Sequence, residues 1–165
     1  MIEVRRADIA DAHALGEIHA VSWEISHAPF FAPKFGAQEV RDRRTRWPDR
    51  LRDGPGTVLL ALLDERPMAF CWFRPSQTRP GQAEVYSLYA HPDGWGTGVA
   101  ATLMTETLRL IRAEGVARVH LWTLRDTPQS RRFYVKSGFT ETGKSRHFDY
   151  GDGTPIDQVE YARAC

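Results

Sequence analysis

Leu88-Tyr89-Ala90-His91-Pro92-Asp93-Gly94-Trp95-Gly96-Thr97-Gly98-Val99-Ala100 is the stretch on which the reading of this chain turns. An apolar segment, Ala83–Ala90, reads as a strand and enters a Pro/Gly-rich turn at His91–Gly98. It leaves as a helix over Val99–Glu114, with Val99, Leu103, Leu110 and Ile111 on one side. Gly115 stops that helix at the C′ position. Glycines at alternate positions permit positive φ and let backbone amides approach a ligand closely. The first turn of the helix adds free N–H groups and the positive end of its dipole. Together these suit an anion such as a pyrophosphate. There is no Gly-Lys-Ser/Thr, so this is not a P-loop; the G-x-G-x-G spacing does not match the dinucleotide fingerprint either. Taken alone, the loop is equally a tight strand–helix turn.

Outward from the loop, strands and helices alternate. Upstream, Ile2–Arg6 alternates apolar and charged residues, a strand signal. Asp8 stands at an N-cap position with Asp11 in the first turn, and an amphipathic helix follows to about Trp23. Residues 24–36 read as an unusually apolar loop with Phe30, Phe31 and Phe35. A second helix is expected over Ala37–Arg46, its end blurred by Pro48. Thr57–Leu63 is a continuous apolar run, read as a buried strand, and pairs with Met68–Arg74 in a hairpin. Downstream come the strand Val116–Leu124, a short helix Pro128–Ser137 and the strands Phe139–Arg146 and Ile156–Tyr161. A three-strand meander followed by a crossover helix implies an α/β fold: a mixed, mostly antiparallel sheet of seven strands with four helices. No linker or repeat interrupts it, so residues 1–165 are expected to form one domain.

Composition narrows the classes. Net charge is +1, from 22 basic and 21 acidic residues, which gives no general pull towards nucleic acid or an anionic membrane. The longest apolar run, Val58–Leu63, falls far short of a membrane span. Met1–Arg6 carries no basic-then-apolar leader, so no secretory signal is expected. Two cysteines, Cys71 and Cys165, make neither a disulfide framework nor a zinc pattern. A cytoplasmic protein without a metal is the expectation.

Several motifs, in order along the whole chain, make a resemblance specific. Trp95-Gly96-Thr97-Gly98-Val99-Ala100 is similar to the Gln/Arg-x-x-Gly-x-Gly/Ala phosphate loop of GNAT-type N-acetyltransferases, with Trp95 in place of Gln or Arg. The strand end Leu88-Tyr89-Ala90-x-Pro92, the strand Val119-His120-Leu121-Trp122 and the segment Phe133-Tyr134-Val135-Lys136-Ser137-Gly138-Phe139 also fall where that family has their counterparts. Thr127 stands where the family often has Asn, and Ser130 where Ala is common.

The resemblance implies acetyl-CoA as co-substrate, bound between the strand ending at Ala90 and the strand Val116–Leu124. Leu88, Tyr89 and Ala90 would meet the pantetheine arm. Trp95, Gly96, Thr97, Gly98, Val99 and Ala100 would cradle the pyrophosphate, with Thr127 and Ser130 across the cleft. It places Tyr134 as general acid for the departing thiolate, and Glu84 where some members carry a catalytic glutamate. A buried tyrosine and a surface strand carboxylate are the plainer accounts of these two. His91 and His120 are further base candidates. Trp23, His27, Phe30 and Phe31 fall where the family builds its acceptor lid, against a plainer role in packing. The acceptor would be a primary amine on a small molecule or peptide, with no nucleic-acid or membrane partner. A homodimer is one assembly the resemblance admits. The rival function is a non-catalytic acyl-CoA-binding or regulatory module. The Arg41–Arg52 run reads as a solvated helix face, and Arg131 and Arg132 as exposed helix charge within reach of a CoA phosphate.

Overall fold

The computed structural model describes every residue, Met1–Cys165. In chain order the elements are β1 (Ile2–Arg6), α1 (Ala12–Ser26), α2 (Pro33–Thr45), α3 (Trp47–Asp53), β2 (Thr57–Leu63), β3 (Arg66–Pro75), β4 (Ala83–Ala90), α4 (Val99–Ala113), β5 (Arg118–Leu124), α5 (Pro128–Lys136), β6 (Thr140–Phe148) and β7 (Ile156–Ala164). The strands form one sheet in the order β1-β2-β3-β4-β5-β7-β6. Every neighbouring pair is antiparallel except β4 and β5. No helix is long and apolar enough to cross a membrane.

The continuous apolar run of β2 is explained by burial on both faces. Leu59 and Ala61 join the core under α4, with Val99, Leu103 and Ile111. Leu60 and Leu62 join a second core under α1 and α3, with Leu15, Ile18 and Trp47. A fully buried leucine such as Leu60 contributes roughly 2 kcal/mol. The hairpin between β2 and β3 turns through Asp64 and Glu65, both at positive φ, which suits the twist of the strands. Ahead of α1, Asp8 and Asp11 cap each other's backbone N–H groups. Arg5 grips Asp11 at 2.8 and 2.9 Å, and this hydrogen bonding holds the Asp11 carboxyl below its ordinary range.

Three expectations are corrected. There are five α-helices, not four, because Pro48 sits in the first turn of α3 rather than merely ending α2; proline has no N–H to lose there. Residues 24–36 are largely structured: α1 runs to Ser26, Ala28–Phe30 forms a 3₁₀ turn, and α2 starts at Pro33. The arginine run is not simply a solvated face either. Arg43 is buried over the Trp23 ring at 4.2 Å, and Arg50 lies 4.4 Å above Trp72. Close packing of α1 on α2 is permitted by Gly16, where a Cβ would strike the Arg44 carbonyl.

The element that shapes the site is a bulge in β4. Trp72 pairs with Ser87 but Phe73 pairs with Val85, so Tyr86 is an extra residue on β4. A bulge bends its strand and increases its twist.

Candidate active site

At that bulge β4 leaves β5. The two pair only through Ala83–Val119, Glu84–His120 and Val85–Leu121. Beyond this β4 stays with β3 as far as Ala90, while β5 stays with β7 as far as Leu124. The gap is a cleft of about 800 Å³, bounded by Val85–Ala90 on one side and Trp122–Leu124 on the other. The edge of β4 facing β5 has no strand partner from Tyr86 onward, so an extended chain of amides can pair with it.

One end of the cleft is the glycine turn. Gly96 and Gly98 have φ of +75° and +86°, and a Cβ built on either would meet nothing within 4 Å. Only glycine adopts that backbone without strain. The amides of Gly96, Gly98, Ala100 and Ala101 make no hydrogen bond within the chain. Trp95 is pinned across the strand end by its indole N–H, which donates to the Ala90 carbonyl at 3.1 Å. Thr97 braces the turn by donating to the Gly94 carbonyl, and the Val99 side chain is buried in the core, so these two serve the loop through their backbone. Opposite them, Ser130 Oγ lies 3.0 Å from Thr123 Oγ1. Thr127 lines the cleft with a buried hydroxyl that has no partner. Arg132 and Lys136 complete this wall, and Lys136 was not foreseen. Arg131 turns away, bonding the Tyr161 hydroxyl at 3.0 Å. Free amides, an unpaired hydroxyl and two cations fit a pyrophosphate and its amide arm.

Tyr134 reaches the middle of the cleft from α5. Its ring is buried against Phe139 and Tyr161. Its hydroxyl makes no hydrogen bond to the protein, and burial pushes its pKa up, keeping the phenol protonated. Cys71, nearby in the core, is pushed up to about 12 by burial and is inert as a nucleophile.

Glu84 stands at the apex, where β4 and β5 still pair, and does not itself line the cleft. It is buried rather than a surface residue. Its Oε1 lies 3.6 Å from His120 Nε2, which is also 2.6 Å from Ser76 Oγ. His120 Nδ1 is 3.0 Å from Glu160 Oε2 but off the line for a hydrogen bond. Burial raises the pKa of Glu84, against the pull of Arg146 and Arg74. Burial also opposes charge on Glu160, but hydrogen bonds from Arg79 and Thr142 outweigh it and hold Glu160 low. His120 is lowered, chiefly by burial, and stays neutral. His91 is taken up in its turn, its Nδ1 accepting from the Asp93 amide at 3.1 Å.

The far end of the cleft is aromatic. His27 and Phe30 line it as foreseen, joined by Tyr86, Tyr89, Trp122 and Tyr150. Trp23 and Phe31 do not line it. Trp23 is fully buried and stacks on both His27 (5.3 Å) and Phe31 (5.6 Å), so it supports the wall from behind. Burial, and then Arg43, lower His27 to about 3, so its imidazole is neutral at physiological pH. Tyr150 comes from the loop between β6 and β7 and meets His27 at 5.9 Å and Phe31 at 5.2 Å. Its hydroxyl accepts from Gln158 at 3.0 Å. No three His, Cys, Asp or Glu side chains gather into a metal-binding group.

A parted strand pair whose free edge runs into a helix start with open amides defines the class: transferases that take an acyl group from CoA. The sequence profile of the acetyltransferase (GNAT) family matches residues 17–139, so the chain belongs to that family and is an N-acetyltransferase. It is 30% identical over 153 residues to an uncharacterized N-acetyltransferase of Mycobacterium bovis, covering 92% of this chain and 96% of that one. It is 31% identical over 147 residues to the mycothiol acetyltransferase of Beutenbergia cavernae, covering 82% of this chain and 44% of that longer one. Among solved structures, the PaiA N-acetyltransferase of Thermoplasma acidophilum, in complex with coenzyme A, superposes with a TM-score of 0.77 at 20% identity. The match covers 100% of this chain and 99% of that one.

Proposed function

We propose that residues 1–165, as one domain, transfer the acetyl group of acetyl-CoA to a primary amine by direct attack. The observation that carries this is Tyr134, which lines the gap between β4 and β5 and makes no hydrogen bond to the protein through its hydroxyl. A phenol that opens onto the cleft and is kept protonated is a proton donor within reach of a bound thioester, which a module that only bound acyl-CoA would not need. The relative named for mycothiol acetylation supports a small-molecule acceptor.

The amides of Gly96, Gly98, Ala100 and Ala101 hold the pyrophosphate, and the Tyr86–Ala90 edge of β4 aligns the pantetheine arm. The amine nitrogen attacks the thioester carbonyl. A backbone N–H near Tyr89 or Ala90 steadies the oxyanion, a type of contact worth roughly 3 kcal/mol. As the C–N bond forms and the C–S bond breaks, Tyr134 donates its proton to the sulfur and regains one from solvent. The amine must shed a proton, since an alkylammonium has a pKa of about 10. Glu84 takes that proton through solvent at the apex of the cleft. It accepts only when ionised, and its raised pKa means that activity falls as pH drops through that value. Glu84→Gln is expected to lower kcat/KM roughly tenfold at neutral pH and to flatten the acid limb of the pH profile. An unchanged limb would leave proton removal to solvent alone.

A thermal-shift titration tests the donor. Acetyl-CoA and CoA are expected to raise Tm, with about 2.7 kcal/mol of stabilisation at 100 times Kd, and ATP is not. Absence of a shift at millimolar acetyl-CoA would remove the basis of the proposal.

A further inference from the structure

The acceptor end of the cleft has a charge pattern that selects among amines. Its aromatic rings already carry cations on their faces. Arg74 sits 4.1 Å over Tyr86, and Arg146 sits 4.4 Å over Trp122. Arg43 covers Trp23 behind His27. Arg74 and Arg146 are held there by Gln77 at 2.7 Å and Gln158 at 2.7 Å, neutral partners that leave their charge in place. The only carboxylate lining the cleft is Asp126, beyond the end of β5 on the α5 side, where it bonds Arg125 at 3.2 Å. Behind the wall, Glu160 is taken up by Arg79 and Glu39 by Arg43 at 2.7 Å, while Glu84 stands at the apex where β4 and β5 pair. Tyr150 packs against His27 and Phe31 and adds its ring to this wall.

We infer that the acceptor is a small monoamine with an aromatic or apolar body and no second positive charge. This rests on the acetyl-transfer reading above and deepens it. A body of that kind gains from burial against Phe30, His27, Tyr89 and Tyr150, and from offset or edge-to-face contact with their rings. A polyamine would bring further ammonium groups to rings that already face guanidinium groups. Among the lining residues it would find one carboxylate, Asp126, at the α5 side and already bonded to Arg125, and an unpaired charge is expensive to desolvate.

The test uses the full chain with saturating acetyl-CoA and follows thiol release with phenethylamine and with spermidine. The expected result is a kcat/KM at least about tenfold higher for phenethylamine, equivalent to about 1.4 kcal/mol. A spermidine value equal or higher would overturn the inference. Binding is read separately, by thermal shift of the CoA complex, in which no transfer can occur. A further shift with millimolar phenethylamine but not spermidine supports the inference even if turnover is slow. No further shift with phenethylamine would overturn it while the acetyl-CoA shift still supports the acetyl-transfer reading. Loss of the acetyl-CoA shift itself would instead remove both. Phe30→Asp places a carboxylate on an exposed position of the wall, so folding is spared. It should move the preference several-fold towards spermidine; an unmoved ratio would count against the inference.

Discussion

Tyr134→Phe lowers kcat by one to two orders of magnitude while leaving the Kd for acetyl-CoA unchanged. The ring is buried and packed on Phe139 and Tyr161, and phenylalanine keeps that packing. The hydroxyl opens onto the cleft and bonds no protein atom, so its removal leaves no broken hydrogen bond behind. Stability should therefore hold or rise slightly. What is lost is the proton delivered to the departing sulfur, and general acid catalysis typically contributes a factor of roughly 10² or more. A hundredfold loss corresponds to about 2.7 kcal/mol of barrier. Retained turnover would remove Tyr134 from the chemistry and leave it a core residue.

Gly98→Val is expected to abolish the acetyl-CoA thermal shift. Gly98 has φ of +86° at the start of α4, a conformation that costs other residues roughly 1–2 kcal/mol and a β-branched one more. Nothing in the protein occupies the space a Cβ would enter, so the substitution does not collide with the core. It fills the place of the pyrophosphate and tilts the amides of Gly98 and Ala100 away from it. Losing several charge-assisted hydrogen bonds, each worth roughly 1.5–3 kcal/mol, weakens binding by at least about a hundredfold. Retention of the shift would mean that the phosphates lie elsewhere. The two variants separate binding from chemistry, since one should remove affinity and the other only turnover.

Much of this site was legible because it is local. The strand end, the glycine turn and the start of the helix after it lie within thirteen consecutive residues, and backbone amides at a helix start need no distant partner. Tyr134 is placed by its own short helix, between Pro128 and Gly138. The acceptor end was legible only in part. Trp23 and His27 are one helical turn apart, and nothing local says that the first is buried and the second faces the cleft. Tyr150 lies far along the chain in a glycine-containing loop, and no pattern marks it as part of the cleft wall. The bulge at Tyr86 has no glycine or proline to announce it; it is visible only in how β3 and β4 pair.

The order of the strands, the burial of β2 and the glycine turn ahead of α4 followed from the sequence alone. Periodicity, prolines, glycines and caps act over a few residues. The tertiary structure alone decided where β4 and β5 part, and that Glu84 is buried beside a neutral His120 instead of facing solvent. It also decided that arginines of β3 and β6 cap the rings of Tyr86 and Trp122. Those features depend on register and on contacts between residues 12 or more positions apart, such as Arg74 with Tyr86 and Arg79 with Glu160, 81 residues away. Charge, burial and proton affinity at the site are set by such pairs, and a linear pattern does not carry them.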